Sequence, residues 1–105
     1  MEKKVFEQMA DVYFESLRNL RKACIQYLND VMEDKSSLDV SDLNATVVYD
    51  GGNHPEYASN AFSHVESVYK EDGNIFLRIE DCKKYWLDDA DTEGLYNLCS
   101  EISEM

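Results

Sequence analysis

Between Glu2 and Glu33 the chain contains neither glycine nor proline, and its apolar residues recur at alternating steps of three and four. That spacing predicts one long helix. Phe6, Tyr13, Leu20 and Tyr27 fall on one line of the helix, and Ala10, Leu17, Cys24 and Val31 fall on the adjacent line, so the two lines form a continuous seam. Met9, Phe14, Ala23 and Leu28 widen this seam beyond a two-position stripe, which suits packing against a sheet as well as against a partner helix. At 1.5 Å per residue the predicted helix is about 48 Å long, whereas a compact domain of this size has a radius of gyration of only about 13 Å. The helix is therefore expected to overhang its own domain.

Downstream the period changes. Leu38 to Leu43 reads as a linker or one short turn, and Thr46-Val47-Val48-Tyr49 as a strand that stops at Asp50-Gly51-Gly52-Asn53. Residues 56–69 fit two patterns, because Ala58, Ala61, Phe62, Val65 and Tyr69 keep a helical spacing while Val65 to Lys70 also suits a strand; a loop or helical turn followed by a strand is preferred. The sharpest local signal is Asp72-Gly73 between the runs Val65–Lys70 and Ile75–Glu80, which predicts a tight hairpin. With Asp72 and Gly73 at the turn, Val68 faces Leu77, and Lys70 and Glu66 lie opposite Ile75 and Ile79. Lys84 to Leu87 forms a further short strand. Asp91 or Thr92 then caps a helix whose apolar face is Leu95, Leu98, Cys99 and Ile102. The expected fold is one α+β domain over residues 1–105: a long N-terminal helix on a small antiparallel sheet of three or four strands, closed by a short C-terminal helix.

Composition narrows the class of function. Ten Lys and Arg against 22 Asp and Glu leave a formal net charge of -12 over 105 residues. Such a surface repels phosphate backbones and anionic headgroups, so direct nucleic-acid binding and a membrane partner are not expected. No stretch approaches the run of about 18 apolar residues that spans a bilayer, and Glu7, Asp11 and Glu15 interrupt the apolar run an export signal requires. Three cysteines, Cys24, Cys82 and Cys99, match neither a zinc spacing nor a disulfide framework, which fits free thiols in a reducing cytoplasm.

No motif fixes a reaction, and no catalytic, cofactor or metal residue is assigned. Asp89-Ala90-Asp91-Thr92-Glu93-Gly94 matches the first half of a calcium loop, but position twelve is Ser100 where a bidentate Glu is needed, so it reads as an acidic helix start. His54 and His64 sit in no helical metal pattern. The Asp50–Glu56 loop carries Gly, carboxylate and imidazole together, which keeps open a small-ligand or enzymatic reading with His54, Tyr57, Tyr85 and Trp86 as candidate contacts. Tyr69, Phe76 and Tyr85 beside Arg78 could form an aromatic sheet face, though in acidic surroundings. A third reading makes the carboxylates a mimic of DNA phosphates that occupies a basic protein. The leading expectation is a non-enzymatic interaction or accessory module that forms a homodimer through the seam, with a basic protein as a further partner.

Overall fold

The computed structural model describes residues 3–48, 63–79 and 83–105. Helix α1 (Lys3–Val31) is followed by strands β1 (Ser37–Asp39), β2 (Thr46–Val47), β3 (Ser63–Glu71), β4 (Asn74–Ile79) and β5 (Lys83–Trp86), and then by helix α2 (Thr92–Ser103). The sheet is antiparallel throughout, in the order β1-β3-β4-β5, with β2 also on β3. This is the expected α+β arrangement, with five strands where three or four were predicted. The additional one is β1, inside the segment read as a linker. Its three residues contain one apolar side chain, Leu38, too few to display an alternation.

β1 and β2 share one edge of β3, pairing at Ser37↔Tyr69 to Asp39↔Ser67 and at Thr46↔His64 to Val47↔Ser63. The turn between them is held by Val40 N–H donating to Glu66 O and Val65 N–H donating to Ala45 O, both at 3.0 Å. Opposite this break β3 carries a bulge between Val65 and Ser67. The bulge corrects the predicted register at one end: Val68↔Leu77 and Lys70↔Ile75 stand as expected, but Val65 replaces Glu66 opposite Ile79. The reason is packing. Val65 and Val68 are three residues apart and would face opposite ways on a regular strand, yet both are fully buried. One extra residue brings them to the same face and keeps the Glu66 carboxylate out of the core. The hairpin turn itself has Asp72 at φ 53° and Gly73 at φ 81°, the pair of positive values that a two-residue type I′ turn requires.

The core lies between one face of the sheet and the two helices, with Val65, Val68, Ile75, Leu77, Ile79 and Tyr85 on the sheet side. α1 supplies Cys24 and Leu28, flanked by Ile25, Tyr27 and Val31, Met32 follows directly after it, and α2 supplies Leu95, Leu98, Cys99 and Ile102. Lys70 closes the C-terminal end of α1, donating from Nζ to Met32 O at 2.9 Å and Glu33 O at 3.3 Å. A cation there satisfies carbonyls that have no partner within the helix and complements its dipole. The start of α2 is fastened to β2 by Asp91. Its Oδ2 accepts from Gly94 N–H (3.1 Å), its Oδ1 accepts from Val48 N–H (2.9 Å), and its own N–H donates to Val48 O (3.1 Å). The predicted cap is therefore also a tether, and both carboxylate oxygens of the calcium-loop candidate Asp91 are engaged by main-chain N–H groups.

Candidate functional site

α1 divides into two halves. From Cys24 onward its apolar residues belong to the core. Before that point they face outward: Val5, Met9, Val12, Tyr13, Phe14 and Leu20 are exposed, with Val12 at 65% and Tyr13 at 60%. The hinge between the halves is Arg21, which donates from Nη1 to Ala90 O at 2.6 Å and from Nη2 to Asp88 O. Among the described residues it is the most N-terminal α1 side chain hydrogen-bonded to another element. Its guanidinium also brings positive charge to the turn that buries Asp89, whose Oδ2 has no hydrogen-bond partner among the described residues. From Lys3 to Arg21 the helix extends about 27 Å at 1.5 Å per residue. The molecule is correspondingly elongated, 50 × 29 × 26 Å.

At 100° per residue Val5, Met9, Val12, Tyr13 and Leu20 gather on one side of this rod, while Glu7, Asp11, Glu15, Arg18 and Lys22 gather on the other. Tyr13 and Phe14 touch edge to face with ring centroids 5.6 Å apart, but Phe14 is about 100° further round and lies beside Glu7 on the charged side. Val5, Gln8, Met9, Val12 and Tyr13 outline a shallow groove of about 360 Å³. Charge is also partitioned. Residues 1–22 carry five basic and four acidic side chains, net +1, which leaves -13 on the rest of the chain.

The predicted seam is split accordingly. Tyr13 and Leu20 are exposed, Ala10 and Leu17 are half-buried, Tyr27 and Val31 pack on the core, and Cys24 is buried within it. The Phe6 side chain lies outside the described set. What the seam leaves exposed is its N-terminal half, extended by Val5 and Val12, which the two-line reading left out. Both sit at the edge of the stripe, and only a helical wheel wider than the seam would have included them.

The other candidates fare differently. His54, Tyr57 and the whole Asp50–Glu56 loop lie outside the described residues. Tyr85 is a correction: it faces the core beside Leu77, opposite the face on which an aromatic contact surface was expected. Its place is taken by Trp86, whose ring lies 4.6 Å from Phe76, while Phe76 stacks on Tyr69 at 5.6 Å and the Arg78 guanidinium lies 5.4 Å from the Tyr69 centroid. A four-residue strand without a preceding turn signal gives no phase, so the sequence could not say which of Tyr85 and Trp86 points inward. A cleft of about 180 Å³ lies beside Trp86, between Ile25, Asn29, Asn74 and Asp88. It falls below the roughly 300 Å³ at which small-molecule sites begin.

Among the described residues no three His, Cys, Asp or Glu side chains converge to hold a metal ion, and no helix is long and apolar enough to cross a membrane. Cys24 and Cys99 are buried neighbours, the Cys99 thiol donating to Cys24 O at 3.5 Å. Burial, reinforced by the adjacent Cys24 thiol, pushes the Cys99 pKa up to about 12. Thiolate is the reactive form, so a maleimide at pH 8 is expected to label neither residue until the chain unfolds, as peptide mapping would show. The sign of the pH dependence follows. The unfolded thiol ionises near 9.0 and the folded one near 12, so the folded chain holds the extra proton between them. The stability this group contributes is complete below about pH 9 and is lost as pH climbs toward 12. Comparison of the chain with protein-family models, curated proteins and solved structures finds no match.

Proposed function

We propose that this chain is a protein-interaction module, not an enzyme, and that its working surface is the apolar side of the N-terminal half of α1. The observation that carries this reading is the exposure of Val5, Met9, Val12, Tyr13 and Leu20 along one side of a rod that projects from its own core. These five side chains present about 500 Å² of surface, within the range of about 300–600 Å² for the largest apolar patch on a monomer. Covering it is worth about 12 kcal/mol gross at 25 cal/mol per Å², comparable to the cost of association of about 4–15 kcal/mol. Among the described residues the core contacts and tertiary hydrogen bonds of α1 begin at Arg21 and Cys24, so the patch is not what anchors the helix. Residues that add nothing to the chain's own core and cost solubility support a role in contact with another polypeptide.

A photo-reactive benzoylphenylalanine in place of Val12 tests this reading in the cell that makes the protein. Irradiation is expected to yield one defined adduct of higher mass from position 12 and none from Arg18, on the opposite, charged side of the rod. Equal yields from the two positions would remove the basis for the proposal.

A further inference from the structure

We infer that the occupant of the α1 stripe is a second copy of this chain, laid antiparallel across a two-fold axis between Val12 and Tyr13. The inference rests on the stripe being an interaction surface and adds what covers it. Three observations point the same way. The first is area. Five side chains from each of two copies bury about 1,000 Å², the area at which a specific interface begins, and the half-buried Ala10 and Leu17 add to it. A stripe that is apolar along its whole length is self-complementary, as a two-fold interface demands.

The second observation is charge. Residues 1–22 carry net +1 and residues 23–105 net -13. Side-by-side parallel rods would bring two -13 bodies together at the same end. Antiparallel rods separate the bodies and carry each basic tip toward the other copy's acidic body.

The third is register. The exposed stripe runs from Val5 to Leu20, so its midpoint falls between Val12 and Tyr13. A two-fold axis there sets Val5 level with Leu20, so that apolar side chains meet at both ends of the stripe. It also sets Lys4 level with Arg21, the residue bound to the turn that bears the exposed Asp88, with exposed Glu93 close by in sequence. The lysines at the rod tip thus meet the acidic base of the partner.

Disulfide trapping on the full chain distinguishes the arrangements. In a Cys82→Ser background, Val12→Cys is expected to give a covalent dimer on oxidation. Val5→Cys alone is expected to give none, because its two copies would lie about 22 Å apart along the rods at 1.5 Å per residue, far beyond disulfide reach. Mixing Val5→Cys with Leu20→Cys is expected to restore the cross-link. Trapping of Val5→Cys by itself as readily as Val12→Cys would overturn the antiparallel arrangement. The pair Val12→Glu and Tyr13→Glu, with unchanged circular dichroism, is expected to raise the dimer dissociation constant at least about a hundredfold. A parent chain that sediments only at 12.2 kDa in the micromolar range would overturn self-association. If position 12 still cross-linked a different polypeptide in the cell, the reading of the stripe as an interaction surface would stand without it.

Discussion

Leu28→Ala is expected to lower the free energy of unfolding by about 3 kcal/mol, within the range of about 2–5 kcal/mol for buried leucines truncated to alanine. Leu28 is fully buried and sits in the middle of the α1 segment that belongs to the core, one turn from both Cys24 and Met32. Removing its isobutyl group leaves a cavity that a helix tied at Arg21 and at Lys70 cannot close by sliding. Against a typical total of about 5–15 kcal/mol, the loss should appear as a fall in melting temperature of about 12 °C or more. The same measurement on dilute, monomeric Val12→Ala should show a change below about 0.5 kcal/mol, because that residue contacts water. Equal losses at the two positions would mean that the division of α1 into an anchored half and a projecting half is wrong.

Gly94→Ala is expected to destabilise the fold by about 2 kcal/mol, the size of an overpacked contact. The sign is the informative part. An alanine in place of a helical glycine ordinarily stabilises by about 1 kcal/mol. Here a Cβ would collide with the Asp91 carboxylate and would come within 2.8 Å of the Thr46 carbonyl oxygen and 2.9 Å of Val47 Cγ1. A main-chain carbonyl in β2 cannot swing aside, so α2 would have to back away from the strand. That movement breaks the Asp91 tether to Val48, which also caps the helix. Urea denaturation measures the change. A neutral or stabilising result would show that the start of α2 is not seated on β2 as closely as this.

Much of this architecture is written locally in the chain. α1 was legible because nothing between Glu2 and Glu33 interrupts a helical period, and the hairpin because Asp72-Gly73 supplies the two positive φ angles its turn needs. α2 was legible because Asp91 precedes an apolar face of regular spacing. What escaped depends on partners distant in sequence. β1 exists because β3 offers it an edge, and the bulge at Glu66 exists because the core needs both Val65 and Val68. The orientation of Tyr85 follows from pairing with Leu77, which no property of a four-residue strand announces.

The candidate surface was half legible for a related reason. Steps of three and four describe a buried helix face and an unpartnered one equally well, so the seam ran without a break from Phe6 to Val31. The separation at Cys24 is set by where the sheet and α2 end. Length alone gave the hint, since a helix of about 48 Å exceeds what a domain of this size can cover.

Sedimentation equilibrium on the unmodified full chain tests most directly whether the exposed half of α1 is covered by a second copy. At micromolar concentration the expected species has about twice the 12.2 kDa chain mass and dissociates in the Val12→Glu, Tyr13→Glu variant. A single 12.2 kDa species for both proteins would contradict it.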